Sequence, residues 1–307
     1  MLRVRDGIAS GPSSAFGTLT ATREALLKLD SHVHTQHSGQ TTIYPLSLVM
    51  RESYNTPEGV YQLAKARGMD LVTITDHDQV SGALSIAHYP DVIVGCEVTA
   101  VLPNDGVRVH LNVFGQQGIY TSLNHVASGI NGPLTAAHLA AILPWVDGLE
   151  VINGTRLPSQ NRTALCLAQA TGKHLLGGGD SYTGRGIGLT WTEVPGAHNR
   201  EEFMAGLRAG RVIAAGDHGG HRTMLSDMWR FAGNFIAEGV TDTATRPTDW
   251  RGYACAFGGV LGLPIMPLVM TSAFVHFLHE QRFNRDLLYD LLAKPGAAAG
   301  MAPGLAA

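Results

Sequence analysis

Asp30-Ser31-His32-Val33-His34, answered further along the chain by Thr75-Asp76-His77 and by Glu97, decides how this sequence folds. The motif closes an apolar-leaning run, Ala25-Leu26-Leu27-Lys28-Leu29, that reads as a β-strand. Side chains on a strand alternate between faces, which puts Asp30, His32 and His34 on one side. Three metal-capable groups on one buried face are costly unless something binds them. Val72 and Ile74 lead in the same way into Asp76-His77-Asp78, and Val92-Ile93-Val94-Gly95-Cys96 leads into Glu97. Three consecutive strands that each finish in His, Asp or Glu place a metal site at one mouth of a parallel barrel. A hydrogen-bonded core cluster is the competing reading, and recurrence on three strands weighs against it. The chemistry expected is metal-dependent hydrolysis.

Imidazoles and carboxylates together suit Zn, Mn or Fe, whereas a thiolate-rich set would mean structural zinc or an iron–sulfur cluster. Cys96, Cys166 and Cys255 are scattered, with no CxxC, and make no disulfide framework. Alternation turns Cys96 away from Glu97 and into packing. A chain of 307 residues accommodates one large α/β domain plus an extension. Its 45% hydrophobic and 15% charged residues exclude disorder. A formal charge of -3, without any Lys/Arg run, leaves no basic surface for nucleic acid.

Residues 1–24 are Gly/Ser/Ala-rich, lack an apolar h-region and read as a loose arm instead of a signal peptide. After the first strand, a long loop from Gln36 to Asn55 precedes a helix opened by Thr56-Pro57-Glu58 and stopped at Gly68. Strands follow over Leu71–Thr75, Val92–Glu97 and Val107–Phe114, with a candidate at Leu123-Asn124-His125. A helix over Thr135–Leu143 leads to a strand from Gly148 to Ile152. A second helix, Ser159–Ala170, leads through Leu175-Leu176 to Gly177-Gly178-Gly179-Asp180. Strands alternating with helices imply parallel pairing through right-handed crossovers, with ligands at the carboxyl ends of the strands.

Taken together the motifs resemble the PHP family, named for polymerase and histidinol phosphatase, from about Lys28 to about Val194. Asp30, His32, His34 and Thr35 meet its Asp-x-His-x-His-Thr, and Ile74 to His77 its Ile-Thr-Asp-His. Gly95 and Glu97 meet Gly-x-Glu, while His110 and His125 match two later histidines. Gly178-Gly179-Asp180-Ser181-Tyr182 stands where the family has Gly-Ser-Asp-x-His. The resemblance implies an α/β fold, a distorted seven-stranded β/α barrel over 25–215, with up to three metals at its C-terminal mouth. It implies that His32, His34, Glu97 and Asp180 hold one metal, that Glu97 bridges to a second on His110 and His125, and that His77 serves the remaining one. The implied activity is phosphoesterase, through a di- or trinuclear site of Zn, Mn or Fe and a metal-bound hydroxide, on a small-molecule phosphoester. His77 and His125 are candidates for proton transfer, and Arg185, with Arg156, for clamping phosphate.

The sequence departs from that pattern at Tyr182, which replaces the final histidine, and at Gly39 and Gln40, which replace an acidic or His ligand. Both changes fall on one metal, so two metals are expected, with His37 or a Tyr182 phenolate as substitutes at the third. Only 14 residues separate His110 from His125, too few for a strand, crossover helix and strand. Either a barrel helix is missing or His138 replaces His125. Glu150 points either inward or outward. Alternatives are hydrolysis of a non-phosphorus ester or carbamate on the same site, an amidohydrolase-type enzyme, and a degenerate, non-catalytic module.

Residues 216–307 form a mostly helical extension in which 253–278 contain no Asp, Glu, Lys or Arg. That run is long enough for a bilayer of about 30 Å, although Pro264 and Pro267 interrupt it. Membrane association and a buried helical hairpin both account for it. The location expected is cytoplasmic or membrane-associated.

Overall fold

A computed structural model of the chain describes residues 26–42, 46–115, 118–129, 132 and 134–293. The expected arm over 1–24 lies outside the described residues. Strand β1 (Leu26–Leu29) is followed by a loop and by helix α1 (Pro57–Ala66). There the Thr56 hydroxyl accepts the Gly59 N–H, and Pro57 sits where no N–H is needed. Strand β2 (Val72–Ile74), the short helix α2 (Ser81–Ser85) and strands β3 (Val92–Val101), β4 (Arg108–Phe114) and β5 (Tyr120–Leu123) come next. Helix α3 (Ala136–Ile142), capped by Thr135 and His138, precedes β6 (Gly148–Asn153). Helix α4 (Pro158–Thr171) ends at Gly172, in the left-handed conformation at φ 66°, and strand β7 (His174–Gly178) follows.

Six strands form one sheet in the order β2-β3-β4-β5-β6-β7. Single bridges tie its two edges to the first segment: Leu29 pairs with Leu71 beside β2, and Val33 with Ser181 just past β7. The sheet is therefore curled, and the segment carrying His32 and His34 spans its seam. The expected seven-stranded barrel is realised as six laddered strands closed by isolated bridges. Strand β1 itself ladders antiparallel with β8 (Thr190–Pro195), which pairs with β9 (Ile213–Gly216) across from α5 (Arg200–Arg208). Nothing in the sequence pattern announces this second, three-stranded sheet.

Uniform parallel pairing fails in the middle of the large sheet. Strand β3 pairs antiparallel with β4, and β4 antiparallel with β5, while β2–β3, β5–β6 and β6–β7 are parallel. The connections on either side of β4 are too short to carry a crossover helix, so the chain turns back by hairpins. The reversal settles the spacing problem: among the described residues, no helix lies between His110 and His125. Because β4 runs backwards, its first residues are at the mouth, and His110 faces Thr99 two places beyond Glu97.

Leu123, Leu149 and Val151 from the sheet pack against Leu139 of α3 and Leu167 of α4. A second cluster joins Val33, Ile74 and Val92 to Val60 of α1. After β9 the chain becomes helical: α6 (His221–Thr245), α7 (Trp250–Gly262), a 3-10 turn over Leu263–Ile265, and α8 (Met266–Ala293). Gly239 lets α6 and α7 touch, since a Cβ there would fall 2.3 Å from the Ala256 amide nitrogen. Leu287 and Leu291 of α8 enter the core beside α3 and α4, so this helix is rooted in the barrel. The apolar run before them is not. Only 6% of its most apolar stretch is buried, which rules out a buried hairpin. The prolines bring about the 3-10 step between α7 and α8 without ending the helical path.

Candidate metal centre

The imidazole Nε2 atoms of His32 and His34 lie 3.1 Å apart. Glu97 Oε2 is 3.3 Å from the first and 3.4 Å from the second. Asp180 Oδ1 is 3.6 Å and 3.5 Å from the same two nitrogens. These separations sit around the edge length of about 3.4 Å for a tetrahedron with bonds of about 2.1 Å, the geometry of Zn on His and carboxylate. All four residues are buried, yet Glu97 Oε2 and Asp180 Oδ1 accept no hydrogen bond. Two orphaned carboxylate oxygens aimed at two imidazole lone pairs fit a divalent cation and make a poor core cluster.

The other atoms of these side chains are fixed by the protein. Glu150, on β6, points inward, with Oε1 2.8 Å from His32 Nδ1, which leaves Nε2 as the lone-pair nitrogen. Glu150 Oε2 accepts the His125 N–H at 3.1 Å and Asn153 Nδ2 at 2.8 Å. Asp180 Oδ2 accepts from Asn153 Nδ2 at 3.1 Å, Thr155 Oγ1 at 2.9 Å and Arg156 Nη2 at 3.3 Å. His34 Nδ1 is 3.2 Å from Ser38 Oγ, which donates to Asp76 Oδ1 at 2.8 Å. Asp76 thus braces His34 through Ser38. Gly178 has to be glycine, because a Cβ there would come 2.5 Å from the His32 Cβ. Asp180 and His125 both adopt positive φ, 48° and 30°, a strain that accumulates at functional sites.

Asp30 corrects the expected alternation. The ladder ends at Leu29, so the period of two does not carry through to the motif. Its carboxylate accepts from the Gly179 and Gly188 amides, both at 2.7 Å, and anchors the loops around Asp180. Burial pushes Asp30 up to about 7 against the pull of those amides and of His32.

Glu97 Oε1 faces a second group of candidate ligands: His110 Nδ1 at 3.3 Å and His125 Nε2 at 3.5 Å, with Asn124 Nδ2 donating at 2.8 Å. The carboxylate therefore stands between two pairs of histidines. His77 Nδ1 lies 3.1 Å from Glu97 Oε2, and its other nitrogen 3.2 Å from the Tyr182 hydroxyl. Tyr182 stacks on His34 with ring centroids 4.3 Å apart. His37 is directed away, to Ser81 Oγ at 2.9 Å, and the carboxylate near His77 is instead Glu52, 3.7 Å from Nε2. His138 is spent on a helix cap and on Asp105 at 2.6 Å, which leaves His125 as the inward histidine.

Charge follows from this crowding. Burial opposes ionisation of Glu97, but the nearby His32, His110 and His125 imidazoles hold its carboxyl well below the usual carboxylate range. His32 is correspondingly raised well above the usual imidazole range: burial is outweighed by Glu97, Glu150 and Asp180. Burial and the neighbouring His34 lower His77 to about 3, so it is neutral near pH 7. Burial raises Glu52 to about 7 and keeps the Tyr182 phenol protonated.

Arg185, expected as a phosphate clamp, forms a two-point pair with Asp227 of α6, at 3.0 Å and 3.1 Å. Arg156 sits beside Asp180, with its buried Nε lacking any partner. Sequence reasoning missed Glu52, Asn124 and Asn153. The two asparagines stand at the carboxyl ends of their strands, a position that marks functional residues in such sheets. Glu52 lies in a loop without periodicity and carries no such mark.

Residues 158–212 match a family model described as PHP-associated. The chain is 29% identical over 77 residues to an uncharacterised protein of Methanocaldococcus jannaschii, a match covering 24% of this chain and 44% of that one. The chain thus spans less than half the length of this curated relative. In three dimensions it is similar to a two-domain protein from Bacteroides vulgatus containing a predicted PHP-like metal-dependent phosphoesterase. That similarity has 16% identity, a TM-score of 0.48, and coverage of 73% of this chain and 75% of the other. PsfC from Pseudomonas syringae gives 13% identity and a TM-score of 0.49 over 68% and 98% of the two chains.

Proposed function

We propose that this chain, a PHP-family protein, is a metal-dependent hydrolase of phosphoesters. The observation that carries the reading is the pair of buried, unpartnered oxygens, Glu97 Oε2 and Asp180 Oδ1, facing the Nε2 atoms of His32 and His34. His32, His34, Glu97 and Asp180 would hold one cation, and Glu97, His110 and His125 a second. Bound there, Zn, Mn or Fe supplies Lewis acidity and lowers the pKa of a water to about 7. The remaining residues orient and receive the substrate. Glu150 and Ser38 keep His32 and His34 aimed inward, and neutral His77 holds the Tyr182 hydroxyl at the edge of the site. Arg156 Nε, buried and free, would donate to a phosphoryl oxygen. Protein stripped by chelation and reloaded with Zn, Mn or Fe should bind about two metals per chain by elemental analysis and hydrolyse aryl phosphates. Loading below one per chain would favour a non-catalytic module, and a loaded but inert protein would end the phosphoesterase reading.

We propose also that the outer face of α7 and early α8 rests in the headgroup region of a lipid bilayer. Its uncharged run is long enough to cross, but α7 packs along α6, which carries Arg230, Glu238 and Asp242, and α8 is rooted in the barrel core. A helix held at both ends and flanked by charges lies along an interface more readily than it crosses one. Flotation with neutral phosphatidylcholine vesicles should carry the protein upward. Full recovery in the low-salt supernatant would refute membrane binding, and a dimer in detergent-free light scattering would assign the face to a second copy.

A further inference from the structure

We infer that the cavity roofed by the C-terminal helices binds an uncharged, apolar alcohol group, so that the substrates are phosphoesters of hydrophobic alcohols. This rests on the phosphoesterase reading and adds its substrate class. The cavity measures about 540 Å³, room for a drug-sized organic group beyond any phosphoryl moiety. Glu52 and Tyr182 belong to both its wall and the metal centre, and Arg156 and Gly179 line it beside Asp180, so cavity and site adjoin. The opposite wall is apolar: Met224, Met228 and Phe231 from α6, and Phe277 from α8. Methionine and phenylalanine offer an adaptable surface with little to say to a polar group.

The charged groups on that side are already engaged. Arg185 is paired at two points with Asp227. Glu280, buried, accepts Ser128 Oγ at 2.6 Å, Gln160 Nε2 at 2.7 Å and the Gly129 amide at 3.1 Å. Away from the metal end, a second phosphate or a carboxylate on the substrate would meet only Arg185, already paired with Asp227, and His276, beside Glu280, among the described lining residues. Arg156, whose buried Nε has no partner, stands where the ester phosphate must sit. One end of the cavity therefore recognises an anion and the other a hydrocarbon.

The test uses the full, metal-loaded chain and n-alkyl phosphates from ethyl to octyl. The kcat/KM should rise about threefold per methylene until the cavity is filled. Calorimetry with the matching non-hydrolysable n-alkylphosphonates should show a heat-capacity change that grows more negative with chain length. Met228→Gln and, separately, Phe277→Ser should flatten both series. A parallel arm with phosphatidic acid in vesicles distinguishes a membrane source of the alcohol from a soluble one, and a chain-length-dependent gain in either arm supports the inference. Equal rates and equal binding at every length would overturn it and leave the phosphoesterase reading standing. No hydrolysis of any ester, with phosphonate binding still dependent on length, would uphold the cavity and overturn that reading.

Discussion

At the barrel mouth, His32, Glu97 and Asp180 are polar and buried, while on α7 and the first half of α8, Leu261 and Leu268 are apolar and 77% and 71% exposed. Each region sets side chains in the surroundings they fit least, and in opposite senses. Elsewhere the protein obeys the ordinary rule, with Ile74, Leu123 and Leu149 fully enclosed. The contrast teaches that such a misfit is information about an absent partner. On the readings proposed above, the partner at the mouth would be cationic and small, and the one on the helices apolar and extended.

The largest effect that would break the comparison is at Glu97. Glu97→Gln should reduce kcat/KM by at least about 10³-fold and lower the bound metal, measured by steady-state kinetics and elemental analysis. Were the mouth only a polar core, the substitution would change stability and leave metal content untouched. Glu150→Ala should weaken metal affinity about 10- to 100-fold in competition with a chelating dye, because His32 loses the partner that fixes its ring.

A pH experiment sharpens the same side. Burial raises Glu52 from 4.5 to about 7 in the folded, metal-free protein. The advantage of keeping that proton is complete below the unfolded value and lost as pH rises to the folded one. Glu52→Gln should therefore leave urea unfolding unchanged at pH 4 and stabilise the metal-free protein by about 2 kcal/mol at pH 8. Equal stabilisation at both values would remove Glu52 ionisation as the cause. The smallest effect belongs to the helices. Leu261→Lys with Leu268→Lys should alter unfolding free energy by no more than about 0.5 kcal/mol, since both side chains face outward. The same pair should abolish vesicle flotation, and a protein that still floats would move the lipid contact elsewhere.

Residues that sit at strand ends were legible in the sequence. His32, His34, Glu97 and Asp180 each follow an apolar run, and the curled sheet gathers them. His110 and His125 were legible as residues of the mouth, but the reversed direction of the His110 strand was not, since alternation reads the same either way and loop length alone separates a hairpin from a crossover. Asp30 was misplaced because a period of two applies only while the ladder lasts. Glu52 reaches His77 from a loop, where no periodicity flags it. The apolar run after Tyr253 was plain from composition, yet composition is silent on exposure, and only the packing of α6, α7 and the barrel shows which face is left outward.

The backward course of β4 bears on how the molecule is made. Glu97, His110 and His125 meet through two adjacent hairpins, contacts that close early and with little chain entropy. His32 and Asp180 become neighbours only after almost the entire sheet has wrapped round. A newborn chain would thus own half a binding pocket well before the other half arrives, and ions would load in sequence. Refolding in dilute Zn, followed by a fluorescent chelator, should show a fast uptake and then a slow one.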